Sequence, residues 1–137
     1  MKQHERYVVA GGRRLVGQVE VSGAKNAALP ILAAALLTAG ESVIHNAPVI
    51  RDVAVMVEIL RKLGARVEEG PVGTHGRTLR IRADGLNGLE VGADFTREMR
   101  SSIFLMGPLL ARVGKVRISY PGGCAIGPRP IDFHLRG

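Results

Sequence analysis

The sequence predicts an α/β fold assembled from repeated strand–turn–helix units. Three features predict it. Apolar residues alternate at strand spacing in some stretches, such as Leu15–Val21 and Thr78–Ala83, and recur at helical spacing in Val53–Leu63. Glycine stands at most changes of period. One order, strand then Gly-rich turn then helix start, occurs twice: Gln18-Val19-Glu20-Val21-Ser22-Gly23 is similar to Lys115-Val116-Arg117-Ile118-Ser119-Tyr120-Pro121-Gly122.

Taken in order, Tyr7–Ala10 reads as a short strand stopped by Gly11-Gly12, and Leu15–Val21 as a second. Lys25–Leu37 is rich in Ala and Leu, the strongest helix formers, with Pro30 in its first part and Gly40 beyond its end. Ser42–His45 follows as a strand. Asp52 is placed to cap a helix over Val53–Leu63, whose Val53, Met56, Val57, Leu60 and Leu63 share one face. Gly64 ends it. Ala65–Glu68 is a strand, Gly70–Gly76 has turn composition, Thr78–Ala83 is an outer strand and Leu89–Gly92 a short one. Thr96 is a plausible cap for a helix through Ala111, kinked at Gly107-Pro108. Lys115–Tyr120 is a strand leading into a stiff loop at 121–130, and a helix starts near Ile131.

The 137 residues suffice for one domain with a real core, and 46% apolar with 23% charged residues is a globular balance. The formal charge of +7 suits nucleic acid, anionic lipid or phosphorylated small molecules. A nucleic-acid surface is disfavoured: aromatics make up 4%, and no basic block exceeds Arg13-Arg14. The apolar run Ala27–Leu37 is too short to span a bilayer, and the N-terminus is too charged for a signal peptide. Cys124 is the only cysteine, which excludes an intramolecular disulfide and fits a reducing, cytoplasmic setting. The four histidines show no metal-ligand spacing, so neither a metal nor a cofactor is expected.

Three segments could carry chemistry. Ser22-Gly23-Ala24-Lys25-Asn26 opens a helix, where free N–H groups and the helix dipole favour an anion; a plain turn with a solvated lysine is the alternative. Cys124 lies among three glycines and three prolines in residues 121–130. With Arg129 nearby it is either a nucleophile or acid, or an unreactive small residue in a turn. Arg97 and Arg100 start the Thr96 helix, where an arginine fork either grips phosphate oxygens or is merely solvated.

At these three places the chain resembles the UDP-N-acetylglucosamine 1-carboxyvinyltransferases, also called enolpyruvyl transferases. The matching pieces are Ser-Gly-Ala-Lys-Asn-Ala-Ala-Leu-Pro at 22–30, Met-Arg-Ser-Ser-Ile at 99–103 and Pro-Gly-Gly-Cys-Ala-Ile-Gly-Pro-Arg-Pro-Ile-Asp at 121–132. Related shikimate-pathway transferases share the fold but lack this Gly-Gly-Cys loop. The resemblance implies an inside-out α/β barrel of βαβαββ units, of which this sequence covers only the first part. Residues 1–21 would be strands packing with a second domain, and 22–137 an incomplete first domain. The Val53–Leu63 stripe is then expected to lack some of its packing partners.

The resemblance also implies an activity: transfer of the enolpyruvyl group of phosphoenolpyruvate to the 3′-hydroxyl of UDP-N-acetylglucosamine, for peptidoglycan precursor synthesis. Lys25, Asn26 and Arg129 would bind phosphoenolpyruvate. Arg100 and the run Arg129, Pro130, Ile131, Asp132 and Phe133 would hold the sugar nucleotide, and Cys124 would be the catalytic thiol. A catalytic aspartate and a further phosphoenolpyruvate-binding arginine of the family match nothing in this sequence, so the chain by itself is expected to be inactive. A non-catalytic anion- or nucleotide-binding module is the alternative.

Overall fold

The computed structural model describes residues 7–87, 90–119 and 130–136. The Ala- and Leu-rich run forms helix α1, Lys25–Ala34, and tightens into a 3₁₀ turn over Ala35–Leu37. Pro30 stands inside α1 without ending it; its ring nitrogen cannot donate to the Asn26 carbonyl one turn back. The apolar face of α1 buries Ala28, Leu29, Leu32 and Ala33.

Strand β1, Glu41–Ala47, leads to helix α2, Arg51–Lys62. Every member of the predicted α2 stripe is buried, joined by Val55 and Ile59. The expectation that this stripe would lack partners is therefore overturned: α1, the sheet and the following helices enclose it. The helix dipole is complemented at both ends, by Asp52 in the first turn and by Arg61 and Lys62 in the last. Gly64, at φ +96°, takes the left-handed conformation that stops the helix, and a side chain there would run into the backbone of Gly85.

Strands β2, Arg66–Gly73, and β3, Gly76–Arg82, form a hairpin, and the sheet order is β1-β3-β2 with both neighbours antiparallel to β3. The predicted turn at Gly70–Gly76 shrinks to residues 74–75 because β2 carries on through Pro71. It does so at a register shift between Glu69 and Val72, on an edge strand, where the missing proline N–H disrupts no central ladder.

The sheet is one-sided. Leu79, Ile81 and Val67 point into the core against Leu32, Leu36, Met56, Leu60 and Leu63. The opposite face is charged: Arg82 lies between Glu41 and Arg66, and Arg80 between Val43 and Glu68, with an Arg80–Glu41 ion pair at 2.9 Å.

The second half begins with β4, Glu90–Val91, paired in parallel with β5, Arg117–Ile118. A helical crossover joins them, as a parallel pair requires. It is not the single kinked helix expected from Thr96 to Ala111. Helix α3, Ala93–Glu98, ends at Met99, whose extended backbone (φ −136°, ψ 104°) sends its side chain into the core. A 3₁₀ segment, Arg100–Leu105, precedes helix α4, Met106–Val113. Gly107-Pro108 thus falls in the first turn of α4, where proline is tolerated, and the break sits eight residues earlier. Thr96 is buried inside α3 and donates to the Ala93 carbonyl instead of capping. Helix α5, Asp132–Arg136, follows.

The order α1–β1–α2–β2–β3 is a βαβαββ unit without its opening strand, and β4–(α3, α4)–β5–α5 is the start of another. In that alignment β5 corresponds to β1, a different register from the internal similarity seen in the sequence. The predicted strands Tyr7–Ala10 and Leu15–Val21 are not formed. Val8, Leu15, Val19 and their apolar neighbours are more than four-fifths exposed, because a strand needs a partner ladder and none of the described residues supplies one.

Candidate functional site

The first turn of α1 is the best-defined part of the candidate site. Gly23 packs so closely on the β1–α2 connection that a Cβ there would overlap the Asn46 carbonyl and lie 3.0 Å from Pro48 Cδ. Asn46 itself is left-handed at φ 57°, a conformation asparagine tolerates. Two helix N-termini are thereby brought side by side, that of α1 and that of α2. Ala24 caps α1 with no side-chain hydrogen bond, and no acidic residue occupies its first turn. Ala27 N–H donates to the Ala24 carbonyl at 3.2 Å, while the Lys25 and Asn26 N–H groups have no acceptor among the described residues, the arrangement that suits an anion at a helix start. Lys25 and Asn26 are exposed there.

The lysine is not left alone at this positive helix end. Its Nζ donates to Asp52 Oδ1 at 3.0 Å, with the two side chains 50% and 33% exposed. Asp52 therefore sits inside α2 and reaches across to α1; Ile50, not Asp52, is the N-cap of α2, and it makes no side-chain cap bond. Sequence reasoning assigned Asp52 only a capping role, because the pair spans 27 positions and no local pattern reports it.

The other predicted residues are placed as follows. Arg100 opens the 3₁₀ segment directly after the Met99 break, half-buried, on a segment packed against α1. Pro130 is exposed, Ile131 buried, Asp132 half-buried at the start of α5, and Phe133 exposed. Cys124 and Arg129 lie outside the described residues. Arg97, on α3, is exposed. Arg112 has a structural task that the sequence did not suggest: its guanidinium donates to the Leu36 carbonyl at 3.0 Å and the Ala83 carbonyl at 3.2 Å. A hollow of about 250 Å³ beside the α2 N-terminus is lined by Pro48, Ile50, Val53, Val57, Glu69 and Arg77 among others, and includes none of the predicted substrate residues. Among the described residues no group of three or more His, Cys, Asp and Glu could hold a metal ion, and no helix is long and apolar enough to cross a membrane.

A one-sided sheet with helices packed on its inner face, in βαβαββ order without the opening strand, fits the enolpyruvyl transferase class of α/β fold, here part of one domain. The chain belongs to the EPSP synthase (3-phosphoshikimate 1-carboxyvinyltransferase) family, whose model matches residues 9–137. Among relatives, it is 88% identical over all 137 residues to UDP-N-acetylglucosamine 1-carboxyvinyltransferase 1 of Symbiobacterium thermophilum, covering 31% of that protein. It is 52% identical over 133 residues to the UDP-N-acetylglucosamine 1-carboxyvinyltransferase of Desulfosudis oleivorans, covering 97% of this chain and 31% of that one. Among solved structures, the enolpyruvyl transferase NikO from Streptomyces tendae matches with a TM-score of 0.61 and 32% identity, over 76% of this chain and 23% of that one. The chain thus spans about a third of the length of the curated relatives it matches.

Proposed function

We propose that this chain supplies the first substrate-binding wall of an enzyme that transfers the enolpyruvyl group of phosphoenolpyruvate to the 3′-hydroxyl of UDP-N-acetylglucosamine. The observation that carries the reading is the uncapped α1 N-terminus bearing Lys25, in a chain 88% identical to a transferase named for that sugar nucleotide. A lysine at the positive end of a helix is locally unfavourable. Asp52 offsets this only from the neighbouring helix, and local violations of this kind are expected at functional sites.

The reaction then runs in two steps. The sugar hydroxyl oxygen bonds to C2 of phosphoenolpyruvate, losing its proton, while C3 gains a proton and becomes a methyl group. The methyl then gives up a proton as the C2–O bond to phosphate breaks, which restores the double bond and releases phosphate. Cys124 is the acid that serves C3. Lys25, Asn26 and Arg129 hold phosphoenolpyruvate, and Arg100 with the run Arg129, Pro130, Ile131, Asp132 and Phe133 holds the sugar nucleotide. Both substrates are anionic, so fixed cations orient them and balance charge that moves in the transition state. Residues 1–21 belong with a second domain, and the catalytic aspartate and further arginine of the family come from outside residues 1–137. The product feeds peptidoglycan precursor synthesis, with its links to cell-wall growth and division, in the cytoplasm.

The test is a transferase of full family length carrying these 137 residues. Phosphate release from phosphoenolpyruvate should require UDP-N-acetylglucosamine. Lys25→Ala should lower kcat/KM by roughly 10²–10³, the scale of one electrostatic contact in a transition state, whereas Arg13→Ala should leave it unchanged. Equal, small effects at both positions would reduce the basic residues to a solvated face. Release that follows shikimate 3-phosphate instead of the UDP-sugar would reassign the substrate.

A further inference from the structure

The geometry points to Asp52 as a positioning residue for Lys25, one that fixes where the ammonium group stands before phosphoenolpyruvate arrives. This inference rests on the proposed role of Lys25. Three independent features converge on it. The first is the ion pair itself, Nζ to Oδ1 at 3.0 Å, between the first turns of two different helices. The second is the rigidity of what carries Asp52. Pro48 is buried, Ile50 N–H donates to its carbonyl at 3.1 Å, and Ala54 N–H donates to the Ile50 carbonyl at 3.2 Å, so the α2 start has a fixed place. The third is the tight contact between Gly23 and the Asn46–Pro48 backbone, which sets the α1 start against the same connection.

A free lysine side chain has four rotatable bonds and is repelled by the positive end of its own helix. Without a carboxylate in its own first turn, Lys25 would swing into solvent. Asp52 supplies that carboxylate from the neighbouring helix and holds the ammonium between the two helix starts. The pair is one-third to one-half exposed, so as a stabilising contact it is weak. Its effect should appear in substrate use, not in folding.

The experiment measures Asp52→Ala, Lys25→Ala and the double variant in the full-length transferase carrying this sequence, with phosphoenolpyruvate and UDP-N-acetylglucosamine varied separately. Asp52→Ala should lower kcat/KM for phosphoenolpyruvate roughly 10–100-fold, the cost of a misplaced group near the reacting atoms. The KM for the UDP-sugar should stay at the wild-type value. Melting temperature should fall by no more than about 2 °C. The double variant should be no worse than Lys25→Ala, since Asp52 acts through that lysine. Asp52→Glu should recover part of the loss, and the isosteric Asp52→Asn should show the loss even if the alanine variant folds poorly. Wild-type kinetics for Asp52→Asn beside a crippled Lys25→Ala would overturn the positioning role alone. So would a double variant whose losses multiply in full. A wild-type Lys25→Ala would overturn the site reading on which the inference stands.

Discussion

Alanine at position 23 would add one methyl group where the structure has no room for it. The new Cβ would overlap the Asn46 carbonyl and stand 3.0 Å from Pro48 Cδ and 3.3 Å from the Asn46 carbonyl carbon. Carbon atoms pack at about 3.5–4.0 Å, so the α1 start must retreat by roughly 0.5–1 Å at least. The atoms in the way are backbone and a proline ring, neither of which can rotate aside. Overpacking of this kind costs about 1–3 kcal/mol, or a fall in melting temperature of about 1–5 °C in a protein about three times the length of this chain. The retreat also separates Lys25 from Asp52, and a displacement near 1 Å at a reacting centre is worth on the order of 10² in rate. Calorimetry and phosphate release on the full-length transferase, for Gly23→Ala beside Gly107→Ala, test this. Gly107, exposed in the first turn of α4, has nothing within 4 Å of its added Cβ and serves as the control. A Gly23→Ala protein that melts and turns over like the control would mean that the contact yields freely and does not fix the site.

Three further outcomes are expected. Leu60→Ala, at a position with no exposure in the centre of the core, should cost about 2–5 kcal/mol in denaturant unfolding; a loss below about 1 kcal/mol would place α2 elsewhere. Cys124→Ala in the full-length transferase should abolish both turnover and covalent labelling by epoxide mimics of phosphoenolpyruvate, and retained labelling would assign the reactive thiol to another residue. A polypeptide of residues 1–137 alone should unfold in one sharp transition, because the α2 stripe is enclosed, yet release no phosphate above a blank. Release that disappears with Cys124→Ala would mean that a second chain completes the site.

What the sequence revealed was whatever depends on neighbours along the chain. Helices α1 and α2 followed from Ala/Leu content and apolar spacing, and the whole predicted face is buried, four residues within α2 and Leu63 at its C-cap. Departures came where distant residues decide. Leu15–Val21 alternates as a strand does but pairs with none of the described residues, its expected partner being a second domain. Pro71 and its glycines imitate a turn, yet an edge strand with a register shift accommodates them. Thr96 and Gly107-Pro108 suggested a cap and a kink, while the break falls at Met99, whose side chain the core requires. For the site, the helix start at Lys25 was legible from the sequence. Its partner Asp52 was not, because an aspartate at a helix start looks the same whether it serves its own helix or the next one.

Helix α1 is tied at both ends by groups from elsewhere in the chain: Lys25 to Asp52 at its start, and Arg112 to the Leu36 carbonyl in the turn that follows it. With both ends anchored and its apolar face buried, the helix has little freedom to tilt or slide when a ligand lands on it. On the proposed reading the lysine ammonium keeps its contact with Asp52 and needs only a small side-chain adjustment to meet an incoming phosphate. Side-chain rotamers of exposed residues exchange on the ps–ns scale, whereas helix shifts take μs–ms. Recognition of the first anion at this wall should therefore be fast and local, leaving any slow step in the catalytic cycle to motions between larger parts of the molecule.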